Sequence, residues 1–580
     1  MENRNCQNCK QNFVIEADDF SFYEKLGVPA PTWCPDCRFM RRLSSKNERF
    51  MYKRECGKCS KSIISMYAPE SPMPVWCTKC HISDEWDCLE YGQDYDFNRS
   101  FFEQFKELRD RVPHRALDQN KRNGTGCEYA NFCYTSKDIY LSFNVHHSEN
   151  IKYSNYVFKH NKNCLDSMII KKNEWCYELV SSGSNYNSSF LIESEQCIDS
   201  TFLYDCVNCT NCCMSSNLRN KSFVFANQQL TKQEYEKAVG ELNLGSYSGQ
   251  VNAQNIFTEL VSGSIHKFSH LKNTVDTVGD FVENSKNAYH CFGLVNAENV
   301  KNIFFGVNVM KDSQDAIFAG LVEGCYEFTN GGGGASHVAF AFSCGGGSNN
   351  VFYSDNCKGC SDCFGCVSLN KKQYCIFNKQ FTKEEYFRKI EEIKKHMDDM
   401  PYIDKIGRVY KFGEYFPTEI SPFAYNETAA FTECPLSRDE VLSSGYRWKE
   451  MEKKSHSTTV TIDQIPDDIK EVNDDICSEI IACPNDGNVD MQCTSAYRIL
   501  PDDLAFYRKM NLPIPRYCPN CRYHSRLELK NPFRFYKRAC MCDLQNHSHV
   551  GLCEVEFETM NPPGKSFKVY CEKCYQQEVI

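Results

Sequence analysis

The chain repeats itself, and the repeat confines it to a modular architecture. From Cys9 the frame DDFSFYEKLGVPAPTWCPDCR leads to Cys34; from Cys493 the frame DDLAFYRKMNLPIPRYCPNCR leads to Cys518, with the same 25-residue separation and an offset of 484. A second duplication lies inside the first. Cys176-Tyr-Glu-Leu returns as Cys325-Tyr-Glu-Phe after 149 residues, and NQQLTKQEY at 227–235 returns as NKQFTKEEY at 378–386 after 151. The order is module, block, block, module, which suits stacked units; 580 residues exceed a single core in any case.

The chain carries 37 cysteines, and their pairing says what the modules are. MENRNCQNCK lacks the apolar segment of a secretory signal, and no run of about 18 apolar residues could span a membrane, so a cytoplasmic location without a membrane partner is expected. In a reducing compartment dense cysteines bind metal more readily than they form disulfides. The first module presents Cys6/Cys9, Cys34/Cys37, Cys56/Cys59 and Cys77/Cys80, each a C-x2-C pair. Two such pairs place four thiolates about 2.3 Å from a tetrahedral zinc ion, so eight cysteines imply two closed, structural sites. Sequential pairing resembles zinc ribbons or treble clefs; a cross-braced arrangement is the alternative.

The second module is an imperfect copy. Cys493, Cys518 and Cys521 match the first site, but Asp490 stands where Cys6 stands, which makes Cys483 the expected fourth ligand. Cys540, Cys553, Cys571 and Cys574 match the second site, with ten residues inserted between Cys540 and Cys553. The insertion carries Cys542, His547 and His549; Cys542 could replace Cys540, and the histidines read as surface loop. About four zinc ions per chain are expected in all.

Between the cysteine pairs lie basic stretches. RFMRRLSSKNERFMYKR at 38–54 includes Arg41, Arg42 and Arg49, and residues 516–538 include Arg522, Arg526 and Arg534 among several aromatics. Cations for phosphate and rings for bases point to RNA or a nucleoprotein; the alternative is a basic face that offsets the thiolate clusters beside it. A net charge of -10 argues against a general polyanion binder and confines nucleic acid to such patches.

The first block contains short units of an apolar residue or Cys, two variable residues, then Ser or Cys, starting at Ile139, Ile151, Cys164, Cys197 and Cys209. The corresponding starts in the second block are Ala288, Val300, Ser313 and Cys325. Consecutive starts 12 or 13 apart, without helical periodicity, read as coils of a parallel β-solenoid, with Cys, Ile, Val and Phe inside and small residues at the corners. Whether a coil takes 12 residues or about 24 is left open. Capping boxes at Thr231/Glu234 and Thr382/Glu385, and a helix from about Phe97 to Val112, are expected to cover solenoid ends. Residues 401–475 read as an ordered strap followed, from 450, by a flexible linker.

Cys206, Cys209, Cys212, Cys213 and Cys357, Cys360, Cys363, Cys366 imitate iron–sulfur or zinc runs, but they keep the phase of the repeat and read as buried core. The glycine runs at 331–334 and 345–347 lack the lysine of a phosphate loop and read as turns or bulges. His146, His147, His160 and His290 have no nucleophile or carboxylate partner at a recognisable spacing and read as surface histidines. Asp166 and Asp199 follow the repeat, as the carboxylates of a polysaccharide-cleaving solenoid would.

CPxCR after the DD-[FL]-x-FY helix, the NKQ-type block ends, the GEYFPTEISPFAYNE strap and the closing VYCEKCYQQEV together resemble an uncharacterised zinc-ribbon family of small-genome, uncultivated bacteria, over nearly the whole chain. The resemblance implies no activity. The expected fold is mainly β: a duplicated parallel β-solenoid between two double zinc modules. Its parts are 1–95 (first module), 96–117 (helix), 118–245 and 246–400 (solenoid blocks), 401–475 (strap and linker) and 476–580 (second module). The expected function is a non-enzymatic scaffold contacting RNA or a nucleoprotein through its modules, or a protein partner along the solenoid.

Overall fold

A computed structural model of the chain describes residues 1–120, 124–306, 308–545, 547 and 549–580. It is mainly β, with cysteine clusters near both ends. Two sheets of mostly parallel strands form the middle. The first runs from Tyr129–Tyr134 to Gln228–Gln229 and the second from Leu271–Lys272 to Lys379–Gln380. In both, a residue pairs with one 12 or 13 positions later: Ile139 with Ile151, Ile151 with Cys164, Cys164 with Cys176, Ala288 with Val300, Val300 with Ser313. The unit starts are therefore ladder neighbours, and one step of the ladder takes 12 residues rather than 24.

Every third residue turns left-handed. Asn163, Asp166, Ile169, Lys172, Trp175, Glu178, Ser181 and Ser184 have φ between 50° and 59°. Such a conformation costs an L-residue about 1–2 kcal/mol, so each corner must gain from what it brings together. The residue after each corner points inward: Cys164, Ser167, Ile170, Asn173, Cys176, Leu179, Ser182 and Asn185 are all at most 2% exposed. Inward hydroxyls and amides receive backbone N–H groups that a buried corner would otherwise strand. Ser154 N–H donates to Ser142 Oγ at 3.0 Å, Ser194 N–H to Ser182 Oγ at 3.1 Å, and Asn185 N–H to Asn173 Oδ1 at 3.0 Å. Asn161, Asn173 and Asn185 stack, each amide donating to the oxygen of the one before at 3.1 Å.

This corrects the expected interior. Serine and asparagine sit inside beside Cys, Ile, Val and Leu, because the corners need buried acceptors. Large residues such as Trp175 and Phe202 occupy left-handed corners, with their rings turned outward to pack on other elements. Phe328 is an aromatic residue that does enter the interior, and Gly331 makes room for it: a Cβ there would lie 2.1 Å from the Phe328 ring. The register slips between Gly320 and Val322, opposite the 331–334 run, so the glycines serve a bulge as expected. The two sheets meet through Tyr156, whose ring lies 4.8 Å from Phe305 and 5.3 Å from Phe318.

Both capping boxes form, and the helices they start, Lys232–Glu241 and Lys383–Asp399, pack on the last strands through Tyr235 on Phe223 and Tyr386 on Tyr374. The helix expected from Phe97 begins instead at Phe101, and the Phe97 ring stays exposed. It lies on the second sheet rather than at the start of the first, because Phe101 finds the Phe364 and Phe377 rings at 5.4 Å and 5.1 Å. The strap is ordered against the second sheet, with Gly413 N–H donating to the Tyr353 hydroxyl at 2.8 Å. The back of the expected linker is not free, since Ile465, Ile469 and Val472 are buried against the second module.

Candidate metal centres and the charged interface

Four groups of four cysteine sulfurs can each hold a metal ion: Cys6, Cys9, Cys34, Cys37; Cys56, Cys59, Cys77, Cys80; Cys483, Cys493, Cys518, Cys521; and Cys540, Cys553, Cys571, Cys574. The pairing is sequential, and the cross-braced alternative falls. Cys483 takes the fourth place in the third group while Asp490 points to solvent, and Cys540 keeps its place although Cys542 is close by. Sulfur–sulfur separations are 3.7 Å for Cys9–Cys34, 4.0 Å for Cys59–Cys77, 3.8 Å for Cys483–Cys521 and 3.9 Å for Cys493–Cys518.

One local design produces all four. The first two cysteines sit on a β-hairpin, and the third is the N-cap of a helix: Cys34 before Pro35–Leu43, Cys77 before Thr78–His81, Cys518 before Pro519–Leu527, Cys571 before Glu572–Val579. In each, the backbone N–H of the third cysteine donates to the sulfur of the first, at 3.2 Å for Cys34 to Cys6, 3.2 Å for Cys77 to Cys56, 3.3 Å for Cys518 to Cys483 and 3.2 Å for Cys571 to Cys540. Such donors favour thiolate over thiol. At Cys56 burial opposes the charge, yet the N–H groups of Cys77, Cys59 and Lys58 bring the thiol down to about 6.

The cysteines of the sheets behave differently. Cys206, Cys209, Cys212, Cys357, Cys360, Cys363 and Cys366 are fully buried on inward positions, while Cys213 packs on the outer face beside Tyr235; inward sulfurs face carbonyls, Cys206 to Tyr204 O at 3.4 Å, Cys209 to Val207 O at 3.5 Å, Cys363 to Ser361 O at 3.4 Å. Serine at equivalent positions does the same, Ser182 donating to Val180 O at 2.8 Å. Burial pushes the Cys213, Cys291 and Cys325 thiols up to about 12, whereas within the runs neighbouring thiols bring Cys209 and Cys360 down, Cys360 to about 4. None of these cysteines belongs to a metal-holding group among the described residues.

Four of the six arginines expected at nucleic acid turn inward, while Lys53, Arg534 and Lys537 of the same stretches are exposed. Arg41, Arg42, Arg522 and Arg526 are buried, and so is Arg38. Arg38 clamps Asp315 with Nε at 3.0 Å and Nη2 at 2.8 Å, Arg42 adds a contact to Asp315 at 3.3 Å, and Arg41 bridges Glu327 at 2.5 Å and Glu414 at 2.9 Å. Against burial, Arg38 and Arg42 hold the Asp315 carboxyl below the usual carboxylate range. In the second module Arg522 reaches Asp166 at 3.0 Å, and Arg526 reaches Asp166 at 3.1 Å and Glu178 at 2.9 Å. Arg49 stacks on the Tyr523 ring at 3.4 Å. Arg534 alone of the six nucleic-acid candidates is well exposed, beside Asp36 at 3.7 Å.

The interface is itself duplicated. Arg38 and Arg522 are 484 apart, and their partners Asp315 and Asp166 are 149 apart. Asp19 receives Lys301 at 2.8 Å as Asp503 receives Lys152 at 2.8 Å, and Tyr23 meets Tyr326 as Tyr507 meets Tyr177. The Pro35–Leu43 helix thus docks on the second sheet and the Pro519–Leu527 helix on the first, while Lys46 and Glu48 reach Asn144 and Tyr156 of the first sheet and the Phe533 ring packs on Phe292 of the second.

No protein-family profile matches the chain, and no curated protein is similar to it. Among solved structures, a putative acetyltransferase from Desulfovibrio desulfuricans G20 aligns at 12% identity over 49% of this chain and 73% of its own, with a TM-score of 0.10. A likeness at that level carries no argument about fold or activity.

Sequence reasoning missed the acidic half of the interface. Asp315, Glu327, Asp166 and Glu178 obey the 149-residue offset, and overlaying the blocks would have singled them out. Asp166, offered as a catalytic carboxylate, lies fully buried between two arginines, and Asp199 binds the Asn187 amide at 2.6 Å. No helix is long and apolar enough to cross a membrane among the described residues.

Proposed function

We propose that the chain is a non-enzymatic scaffold for a protein partner, built as two β-solenoid blocks that zinc-bound, treble-clef-like modules clamp together. The 12-residue register and the stacked inward columns support the solenoid. Zinc is supported by sulfur spacing: four bonds of about 2.3 Å in a tetrahedron put sulfurs about 3.8 Å apart, the separation found. All-thiolate ligation leaves no open position for chemistry.

The observation that carries the scaffold reading is the use of the charges. Arg41, Arg42, Arg522 and Arg526, four of the six arginines suited to RNA, and the Asp166 carboxylate suited to catalysis are engaged in the module–sheet interface. What remains available is the long outward surface of the sheets. It carries a nearly neutral ladder, Lys137, Glu149, Lys162 and Glu174, repeated 149 residues later as Lys286, Glu298, Lys311 and Glu323. Tyr186 and Ile198 continue the first ladder as exposed apolar residues. A polyanion gains little from alternating charge, whereas a protein partner can match it.

A photo-crosslinker at Tyr186 in the full chain, activated in cells, should yield a discrete protein adduct insensitive to ribonuclease. Labelled single-stranded RNA at low salt should show no saturable binding to the purified chain. Tight RNA binding that weakens steeply with salt would overturn the reading.

A further inference from the structure

The ten residues inserted between Cys540 and Cys553 have no counterpart between Cys56 and Cys59, and they bring their own ligands. Cys542 is fully buried, and its sulfur lies 3.3 Å from His547 Nδ1. A tetrahedral ion with one bond of about 2.3 Å to sulfur and one of about 2.0–2.1 Å to nitrogen sets such an edge near 3.6 Å. The ligand atoms of Cys542, His547, His549 and Cys574 all lie within 4.8 Å of one another. Cys574 also belongs to the group of Cys540, Cys553 and Cys571, so its sulfur faces two centres.

The outer nitrogens of both histidines are already engaged. His547 Nε2 meets Glu578 Oε1 at 2.8 Å, and His549 Nδ1 meets the Gly551 carbonyl at 2.8 Å. This is how a protein fixes the tautomer of a ligating imidazole, with a carboxylate or carbonyl behind the ring and the opposite nitrogen free. His549 Nε2 is buried and has no hydrogen-bond partner among the described residues. A buried ring nitrogen without a partner needs an explanation, and a metal ion supplies one.

We propose that Cys542, His547, His549 and the shared thiolate of Cys574 hold a second metal ion beside the fourth four-cysteine site, making a two-metal cluster in the second module alone. Two thiolates and two imidazoles in a closed tetrahedron suit a borderline-soft d10 cation, and zinc is the ion of that class. Charge favours the pair. One divalent ion among four thiolates leaves the cluster at about -2; a second ion, even with the Cys542 thiol ionised, leaves about -1. Both centres are closed, so the added ion fastens the insertion rather than performing chemistry. The chain would then hold five metal ions rather than the four expected from its sequence, with Cys542 as an addition to Cys540 rather than a replacement, and with the histidines as ligands rather than surface loop.

The proposal rests on the zinc reading of the four-cysteine groups, and stoichiometry separates the two. The full chain, loaded with zinc alone and cleared of excess, should carry five ions by elemental analysis. The His547→Gln/His549→Gln variant should carry four and keep the wild-type thermal transition of its sheets, while His147→Gln/His160→Gln should keep five. Cys542→Ala gives an independent check and should also lose one. With cobalt in place of zinc, the histidine variant should lose one visible absorption component and keep the all-sulfur bands. Four ions in the wild type, or five in the histidine variant, would overturn the second site alone. Fewer than four in the wild type would overturn the zinc reading beneath it.

Discussion

The Asp315→Asn substitution tests the duplicated interface most directly. It preserves shape and removes the charge that Arg38 and Arg42 share. Breaking a buried ion pair costs about 3–5 kcal/mol, because the surviving charge is stranded. Arg42 retains Glu327 at 3.6 Å, so the stranding falls on Arg38, whose other acceptor is the Trp33 carbonyl at 2.6 Å. The loss should therefore sit near the lower end, about 3 kcal/mol, which multiplies the population of the undocked first module by about 100-fold. Hydrogen exchange over the helix Pro35–Leu43 reads that opening locally, which matters because a chain of this size will not unfold in one step. A chromogenic chelator should strip the first metal site faster in parallel. Asp166→Asn should do the same to the helix Pro519–Leu527 and leave the first module untouched. Exchange at Pro35–Leu43 within threefold of wild type in Asp315→Asn would refute the reasoning and return the arginines to a surface role.

Three further outcomes are expected. Cys37→Ser should release one metal ion and loosen its hairpin while leaving the strand ladders intact by circular dichroism; full retention of metal would contradict the first site. Cys325→Ser should cost only about 1 kcal/mol by thermal melting, because serine already fills equivalent inward positions, whereas Cys325→Leu should cost about 1–3 kcal/mol through overpacking. Burial lowers the His270 pKa, but Asp280 at 2.9 Å outweighs it and raises the value to about 9 from an ordinary 6.5. A raised histidine gives stability that is complete below pH 6.5 and is lost as pH rises to about 9. The melting temperature should fall over that interval, and His270→Gln should flatten the fall; an unchanged profile would remove His270 as its source.

The metal groups were legible because C-x2-C spacing states its own geometry: two sulfurs within reach of one ion need no tertiary information. Cys483 was found by elimination, from Asp490. The ladder was legible as spacing, since Ile139, Ile151 and Cys164 mark its steps. What the corners require was not. Asn and Asp, which tolerate a left-handed backbone, fill many corners, Asn163 and Asp166 among them, but Trp175 or Phe202 would not be chosen for one; what holds these is the N–H groups that Ser142 and Asn173 satisfy from inside, a tertiary pairing across 12 residues. The arginines misled for a related reason. Arg41 and Arg526 have the composition of a phosphate-binding surface, and their true partners Glu327 and Asp166 lie 286 and 360 residues away along the chain.

The exchange of partners between modules and sheets bears on how the chain is made. Arg38 emerges 277 residues before Asp315. At about 5–20 residues per second, the Pro35–Leu43 helix waits roughly 15–55 s for its own carboxylates. During that wait the first block appears and offers Asp166 and Glu178 at the corresponding places. The arginines of that helix therefore meet Asp166 and Glu178 before their own partners, although Lys46 and Glu48 of the same module belong on the first block in the finished structure. A ribosome-bound chain halted after the first block should show the Pro35–Leu43 helix protected in a way that Asp166→Asn abolishes; in the finished chain the helix should stay protected, and that protection should depend on Asp315 instead.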